Sequence, residues 1–342
     1  MALIWIDGFE GYTTVGSLSD ALVARRYAYT TGLNLATIVA GRLSAYAIRL
    51  GSTGAIATPS LTTDDTLIIG ASIYIGSMST VFGPTIALYD GGTLGISLRL
   101  TTGGGVAVYK DTTLLATSSN ILGVNRWYFL ELKVTCAVSG MYEVRLNGQS
   151  ILSDSGLDTK AGAHDYYDIV RLSTHISSST SITIDDLYIC DSTGSNNNDF
   201  LGPCRVAVLN PTSDSAVNWS TVYPALTDHY ADVDDGAAAD DDTTYVEDAT
   251  TGHRDLFEYE DLATLTSING ISINTTCRVT DVTPIDLKTV AQSNSTDDTF
   301  TPQSISSTSY VTVAQISVLD PNTNDVWVVS DLNSALFGFE VG

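Results

Sequence analysis

Along most of the chain apolar and polar residues alternate one by one, the period of a half-buried strand rather than of a helix. The clearest run is Arg126 to Gly148, RWYFLELKVTCAVSGMYEVRLNG. Tyr128, Leu130, Leu132 and Val134 fall on one face, and Glu131 and Lys133 on the other. On the return limb Tyr142, Val144 and Leu146 alternate with Glu143 and Arg145. Folding the stretch about Val138, beside Ser139-Gly140, sets Val134 against Tyr142, Leu132 against Val144 and Leu130 against Leu146. The same fold sets Lys133 against Glu143 and Glu131 against Arg145. A slip of one residue destroys both matches, so the register is well specified. The charged face reads as exposed, each pair worth about 0.2–1 kcal/mol.

The same alternation predicts strands at Leu3-Ile6, Arg25-Thr30, Ala45-Leu50, Thr85-Tyr89, Ile96-Leu100, Val106-Tyr109, Leu114-Thr117, Ile169-Leu172 and Ile182-Cys190. Thr66-Ile75 is apolar and β-branched throughout, as a central strand would be. Trp5-Ile6 is expected beside the 182–190 strand. Turn signals such as Asp90-Gly91-Gly92 and Gly103-Gly104-Gly105 recur about every ten residues, which indicates an all-β sandwich or barrel. The polar run 191–199, DSTGSNNND, has no apolar anchor and reads as a boundary. The expected organisation is therefore two β-sandwich (jelly-roll) domains, 1–192 and 200–342, joined by a linker at 193–199. In the second domain strands are expected at 205–209, 254–261, 268–280, 286–292, 310–319, 326–329 and 336–341, with one helical turn at Ser330-Ala335 capped by Ser330.

Composition sharpens this picture in three ways. Only 16% of the 342 residues are charged, so Ser, Thr, Asn and Gly must supply much of the polar surface. The net charge of −24 is concentrated: residues 1–195 carry 11 basic and 16 acidic side chains, residues 196–342 carry 4 and 23. Such a surface repels phosphate, which argues against nucleic-acid partners. Cys136, Cys190, Cys204 and Cys277 lack zinc-motif spacing and are expected as reduced thiols, although Cys190 and Cys204 bracket the boundary and would be the pair to meet. MALIWIDGFEGY lacks the features of a secretory signal, and no apolar run has the length of a membrane span.

Candidate chemistry is sparse. The acidic stretch Asp228 to Asp248 offers Asp232, Asp234, Asp235, Asp240, Asp241 and Asp242 as oxygen donors to Ca²⁺, although counting from Asp232 finds no twelfth-position Glu. A solvated acidic loop is the competing and favoured explanation. Asp185-Asp186 would cluster with Asp7 if the first and last strands of the first domain pair; strand-end capping is the plainer alternative. His164, His175, His229 and His253 lie in no nucleophile-elbow or H-E-x-x-H context, and no strand carries the E-x-D-x-x-E of sandwich glucanases. No enzyme activity is therefore expected. Tyr166-Tyr167, Trp219 and Tyr223 are the aromatic candidates for stacking on sugar rings.

The opening Trp5-Ile6-Asp7-Gly8-Phe9-Glu10, Gly41-Arg42, the hairpin end Arg145-Leu146-Asn147-Gly148 and the closing Ile184-Asp185-Asp186-Leu187-Tyr188 occur in an order that resembles concanavalin A-like, laminin-G-like jelly rolls over residues 1–192. The second half, through Leu201-Gly202-Pro203-Cys204-Arg205-Val206, Asp242-Thr243-Thr244-Tyr245-Val246, Gly252-His253-Arg254-Asp255-Leu256, Ser330-Asp331-Leu332-Asn333 and Phe337-Gly338-Phe339-Glu340, resembles structural proteins of tailed-bacteriophage virions. That resemblance implies location in the virion, on tail, fibre, baseplate or capsid, with other virion proteins as partners and multicopy homo-oligomeric packing. It also implies a lectin-like domain that contacts host surface glycans, with capsid decoration as the alternative role.

Overall fold

The computed structural model describes residues 2–342 apart from 13–17, 19–21, 24–25, 32–35, 52, 62–63, 78–82, 175–180, 225–227, 237–238, 264–266 and 299, and of 29–31 the backbone alone. His175 and Arg25 lie outside the described residues. The chain forms two compact units, one reaching from the N-terminus to Ala207, the other Val208–Gly342. Both are built almost wholly of antiparallel strands.

The first unit comprises β1 (Leu3–Asp7), β2 (Tyr29–Thr31), β3 (Thr37–Val39), β4 (Ala47–Leu50), β5 (Ala55–Ala57), β6 (Thr66–Ile75), β7 (Pro84–Asp90), β8 (Thr93–Leu100), β9 (Val106–Lys110), β10 (Thr113–Thr117), β11 (Arg126–Thr135), β12 (Gly140–Leu146), β13 (Gln149–Leu157), β14 (Ile169–Ser173) and β15 (Ile182–Asp191). One sheet runs β13-β12-β11-β6-β15-β4-β3, with β1 also on β15; the other runs β10-β9-β8-β7-β14-β5-β2. Alternate residues of the two sheets meet in one core, Ile69, Ile73, Leu130 and Leu132 from the first and Ile86, Leu88, Leu98 and Val108 from the second. Two stacked antiparallel sheets sharing one core make a β-sandwich.

The hairpin register matches the expected one pair for pair, from Leu130 opposite Leu146 to Val134 opposite Tyr142, with Glu131 opposite Arg145 and Lys133 opposite Glu143. β6 lies between β11 and β15, and Trp5 and Ile6 pair with Ile189 and Tyr188. The charged face is a different matter. Glu131 is fully buried, Arg145 bonds Glu143 on its own strand, and Lys133 reaches Asp199. That face is covered, because residues 199–207 run across it.

This crossing segment corrects the expected boundary. The stretch after Asp199 is tied to the first unit: Leu201 N–H donates to the Tyr188 hydroxyl, Gly202 N–H to Glu131 and Val206 N–H to Asp186, and Arg42 donates to the Cys204 carbonyl. Arg145 sits 4.0 Å over the Phe200 ring. The segment belongs to the first unit, and the division falls after Ala207. The strand expected at 205–209 does not form, since side chains of the sheet rather than a neighbouring strand satisfy this backbone.

The second unit comprises β16 (Pro211–Val217), β17 (Thr221–Tyr223), β18 (Tyr245–Glu247), β19 (Arg254–Tyr259), β20 (Ile271–Cys277), β21 (Ile285–Ser293), β22 (Thr296–Asp297), β23 (Gln303–Ile305), β24 (Val311–Ser317) and β25 (Leu336–Val341), with a 3-10 turn at His229–Asp232 and a short α-helix, α1 (Val329–Leu332). The main sheet runs β16-β19-β25-β21-β22, with β23 also on β21; β20 pairs with β24 and β17 with β18. Phe257, Leu287 and Phe339 of the main sheet pack with Val313 of β24, and Ala291 and Phe337 pack with Ile273, Trp327 and Leu332. The strand expected at 326–329 is a single bridge, Leu319 to Val326, before α1; the cap position is Val328, not Ser330. No helix among the described residues is long and apolar enough to cross a membrane.

Candidate functional site

The acids of the first unit gather where β15 changes partners. Its first half pairs with β4 and its second with β1, and its register against β6 shifts between Asp185 and Tyr188. Asp186 sits at this bulge with φ +52°, a left-handed conformation that Asp tolerates better than bulky residues. Both Asp185 and Asp186 are fully buried. Asp186 accepts from Ser72 Oγ at 2.8 Å, Arg42 Nε at 2.8 Å and Val206 N–H at 2.9 Å. Asp185 accepts from Arg42 N–H at 2.7 Å, Ser44 Oγ at 3.1 Å and Asp186 N–H at 2.7 Å. Burial first, and the Asp186 charge second, push the Asp185 carboxyl up to about 6. Gly41 is required here: a Cβ on it would lie 2.8 Å from Asp185 Oδ2 and 2.5 Å from the Tyr46 carbonyl.

Pairing of β1 with β15 does bring Asp7 opposite Leu187, next to Asp186 in sequence. Yet Asp7 is taken up by other donors: Phe9 N–H at 2.7 Å, Tyr12 Oη at 2.7 Å and Tyr27 Oη at 2.8 Å. Glu131 accepts from Tyr188 Oη at 2.7 Å and Gly202 N–H at 2.8 Å, and burial raises its carboxyl. Each acid singled out here thus has internal donors, the strand-capping alternative rather than an open cluster.

In the second unit the acidic loop disperses its side chains. Asp242 turns to Arg278 Nη2 at 2.7 Å and Tyr310 Oη at 2.9 Å, which lowers its carboxyl. Asp235 and Asp240 share the Thr244 hydroxyl, at 3.4 and 2.9 Å. Asp234 and Asp241 are exposed. Asp232 is buried and neither of its oxygens has a hydrogen-bond partner; burial raises its carboxyl. Among the described residues no three His, Cys, Asp or Glu side chains come together as a metal would need.

The aromatic candidates separate by exposure. Tyr167 is core, and Trp219 is half-buried against Phe339 with Nε1 donating to the His253 carbonyl. Tyr166 stacks on the His164 ring at 4.7 Å. Tyr223 is 48% exposed and stacks on Tyr245 with centroids 5.2 Å apart and planes 16° from parallel. The two are directly opposed on β17 and β18. The sequence carries no signal for Tyr245 as an aromatic partner, because Tyr223 is 22 residues away across the acidic loop and neither three-residue strand has a period to read.

Each described histidine has Nδ1 on an aspartate: His164 on Asp90 and His229 on Asp255 at 2.6 Å, His253 on Asp248 at 3.1 Å. Asp255 also accepts from Asn218 and Trp219 N–H, so the second pair ties three segments together. All four cysteines are free. Burial pushes the Cys136 and Cys277 thiols up to about 11 and Cys204 to about 12, and Cys190 upward as well, so none is a ready nucleophile.

No protein-family description matches the sequence, and no protein of curated function does either. Among solved structures, the binding domain of Paraclostridial Mosquitocidal Protein 1 is similar at 15% identity and TM-score 0.39, over 55% of this chain and 48% of that one. The receptor binding domain of a botulinum neurotoxin C/D mosaic serotype is similar at 15% identity and TM-score 0.36, over 47% and 42%. Domain 4 of AbnA, a GH43 extracellular arabinanase from Geobacillus stearothermophilus crystallised with arabinotriose, is similar at 16% identity and TM-score 0.36, over 46% and 75%. This chain spans under half the length of the two toxin domains. All three likenesses are partial, and no residue role passes from them to this chain.

Proposed function

We propose that this chain is a non-catalytic binding and assembly protein of a bacteriophage virion, and that its sugar-binding surface is the Tyr223–Tyr245 stack. The observation that carries the binding half is the stack itself: two near-parallel rings, one of them half exposed, on strands that also carry Thr221 and Glu247. An aromatic face offers a flat apolar surface to the C–H face of a sugar ring, and nearby carboxylates and hydroxyls accept and donate to its hydroxyls. The assembly half rests on the sequence resemblance to tailed-phage structural proteins and to concanavalin A-like jelly rolls. The internal engagement of Asp7, Asp185 and Asp186 supports binding over hydrolysis, because a glycosidase needs two acids open to substrate.

The test is a glycan array probed with the whole chain and with Tyr223→Ala/Tyr245→Ala. Retention of the wild type on a defined set of glycans, weakened at least about tenfold in the double variant, is expected. Equal retention of both proteins would move the surface elsewhere, and retention of neither would favour capsid decoration without a host ligand. Location of the protein on tail or head by immunogold labelling separates the two virion roles.

A further inference from the structure

Two buried acids of the second unit carry oxygens with no hydrogen-bond partner, Asp232 and Asp320. They differ in what surrounds them. Asp232 is raised chiefly by burial, with His229 opposing and Asp234, Asp240 and Asp214 adding to it. Asp320 stands instead at the head of D-P-N-T-N-D, residues 320–325.

We infer that the loop Asp320–Val326 binds a calcium ion, with Asp320 Oδ2 as its central ligand and the side-chain oxygens of Asn322 and Asn324 beside it. The spacing is that of a hard-cation loop, in which oxygen side chains at the first, third and fifth positions and a main-chain carbonyl at the seventh surround the ion. Asp320, Asn322, Asn324 and the Val326 carbonyl hold those positions. The structure adds the decisive feature. Asp320 is 1% exposed; its Oδ1 accepts the Asn322 N–H at 2.8 Å, while its Oδ2 is buried and bare. A buried carboxyl oxygen without a partner is costly, and a cation relieves it.

The backbone already forms a tight loop. Asp320 N–H donates to the Asp325 carbonyl and Asn324 N–H to the Asp320 carbonyl, each at 2.8 Å, and Leu319 bridges Val326 beneath. Asn324 adopts φ +58°, so the left-handed turn that glycine makes at the sixth position of an EF-hand is made here one residue earlier. Asn322 and Asn324 are exposed and free to swing; the single bond to Asn322 Oδ1, from Asn294 Nδ2, is long at 3.4 Å. Asp331 occupies the twelfth position but stays out of the set: its Oδ1 accepts from Ser330, and the Leu319–Val326 bridge turns the chain back from the loop tip. With few charged ligands the affinity is weak, Kd roughly 10⁻⁴–10⁻³ M, the range of extracellular modules. The sequence offered calcium only as the less favoured reading of Asp228 to Asp248; Asp320 to Val326 is a different loop.

The experiment is calorimetric titration of CaCl₂ into the chelator-treated full chain, with thermal unfolding followed in parallel. The wild type should bind one ion and gain in Tm at millimolar calcium. Asp320→Asn, and separately Asn322→Ala/Asn324→Ala, which keeps the buried acid, should each weaken binding at least about tenfold. Asp232→Asn should leave it unchanged. No heat and no Tm gain in the wild type would overturn the inference. So would binding that survives in both loop variants or is lost in Asp232→Asn. A missing ion would leave the glycan surface on Tyr223 and Tyr245 untouched.

Discussion

Asp185 and Asp186 are neighbours in sequence with opposite electrostatic situations. Asp186 faces the Arg42 guanidinium; Asp185 meets only neutral donors and the charge next door. The folded state therefore holds the Asp185 proton to about pH 6, against about 3.9 in the unfolded chain. A raised carboxyl stabilises the fold fully below about pH 4, and that contribution is lost as pH rises through about 6. At 1.36 kcal/mol per unit it amounts to about 2–3 kcal/mol. Urea unfolding of the wild type at pH 4, 5, 6 and 7 should show this fall, and Asp185→Asn should reduce the slope by about that amount. Asp90 runs the opposite way: the bond from His164 lowers its carboxyl, so its contribution is present above about pH 4 and lost on further acidification. Asp186→Asn removes the carboxylate charge that faces Arg42 and should cost about 3 kcal/mol by the same measurement. The Asp-Asp pair was visible in the sequence as a strand-end signal. Its donors were not, because Arg42 and Ser44 lie more than 140 residues away.

At the scale of elements, the hairpin was the most legible part of the chain, since both of its limbs carry a full period-two pattern and a single register satisfies them. What could not be read was the cover over its charged face. Residues 199–207 have no strand of their own to announce them, and they bond through side chains of β11 and β15 and through Arg42. The same lack of period hid the short strands β17 and β18, and with them the tyrosine stack. The two faces of the hairpin should respond differently to truncation. Leu132→Ala removes a fully buried side chain and should cost about 2–5 kcal/mol in urea unfolding. Glu143→Ala breaks only a partly exposed pair with Arg145 and should cost under about 1 kcal/mol. A result with the two equal would mean that the hairpin is not anchored by its apolar face.

For the molecule as a whole, the position of the division decides how it can be cut. A fragment ending at Ala207 retains the segment that satisfies Glu131, Tyr188 and Asp186, and should unfold as one cooperative transition. A fragment ending at Ser192 uncovers those buried groups and should be less stable by several kcal/mol, on the order of 1–3 per lost partner. Most of the net charge lies beyond that division, 22 acidic against 3 basic residues after Ala207, a surface that disfavours phosphate. The central claim is that this surface binds without reacting. Its most direct measurement is adsorption of the purified chain to host-envelope polysaccharide, with reducing ends assayed in the same samples. Saturable adsorption that is lost in Tyr223→Ala/Tyr245→Ala, with no new reducing ends, is the predicted result; release of sugar, or adsorption indifferent to both tyrosines, would contradict it.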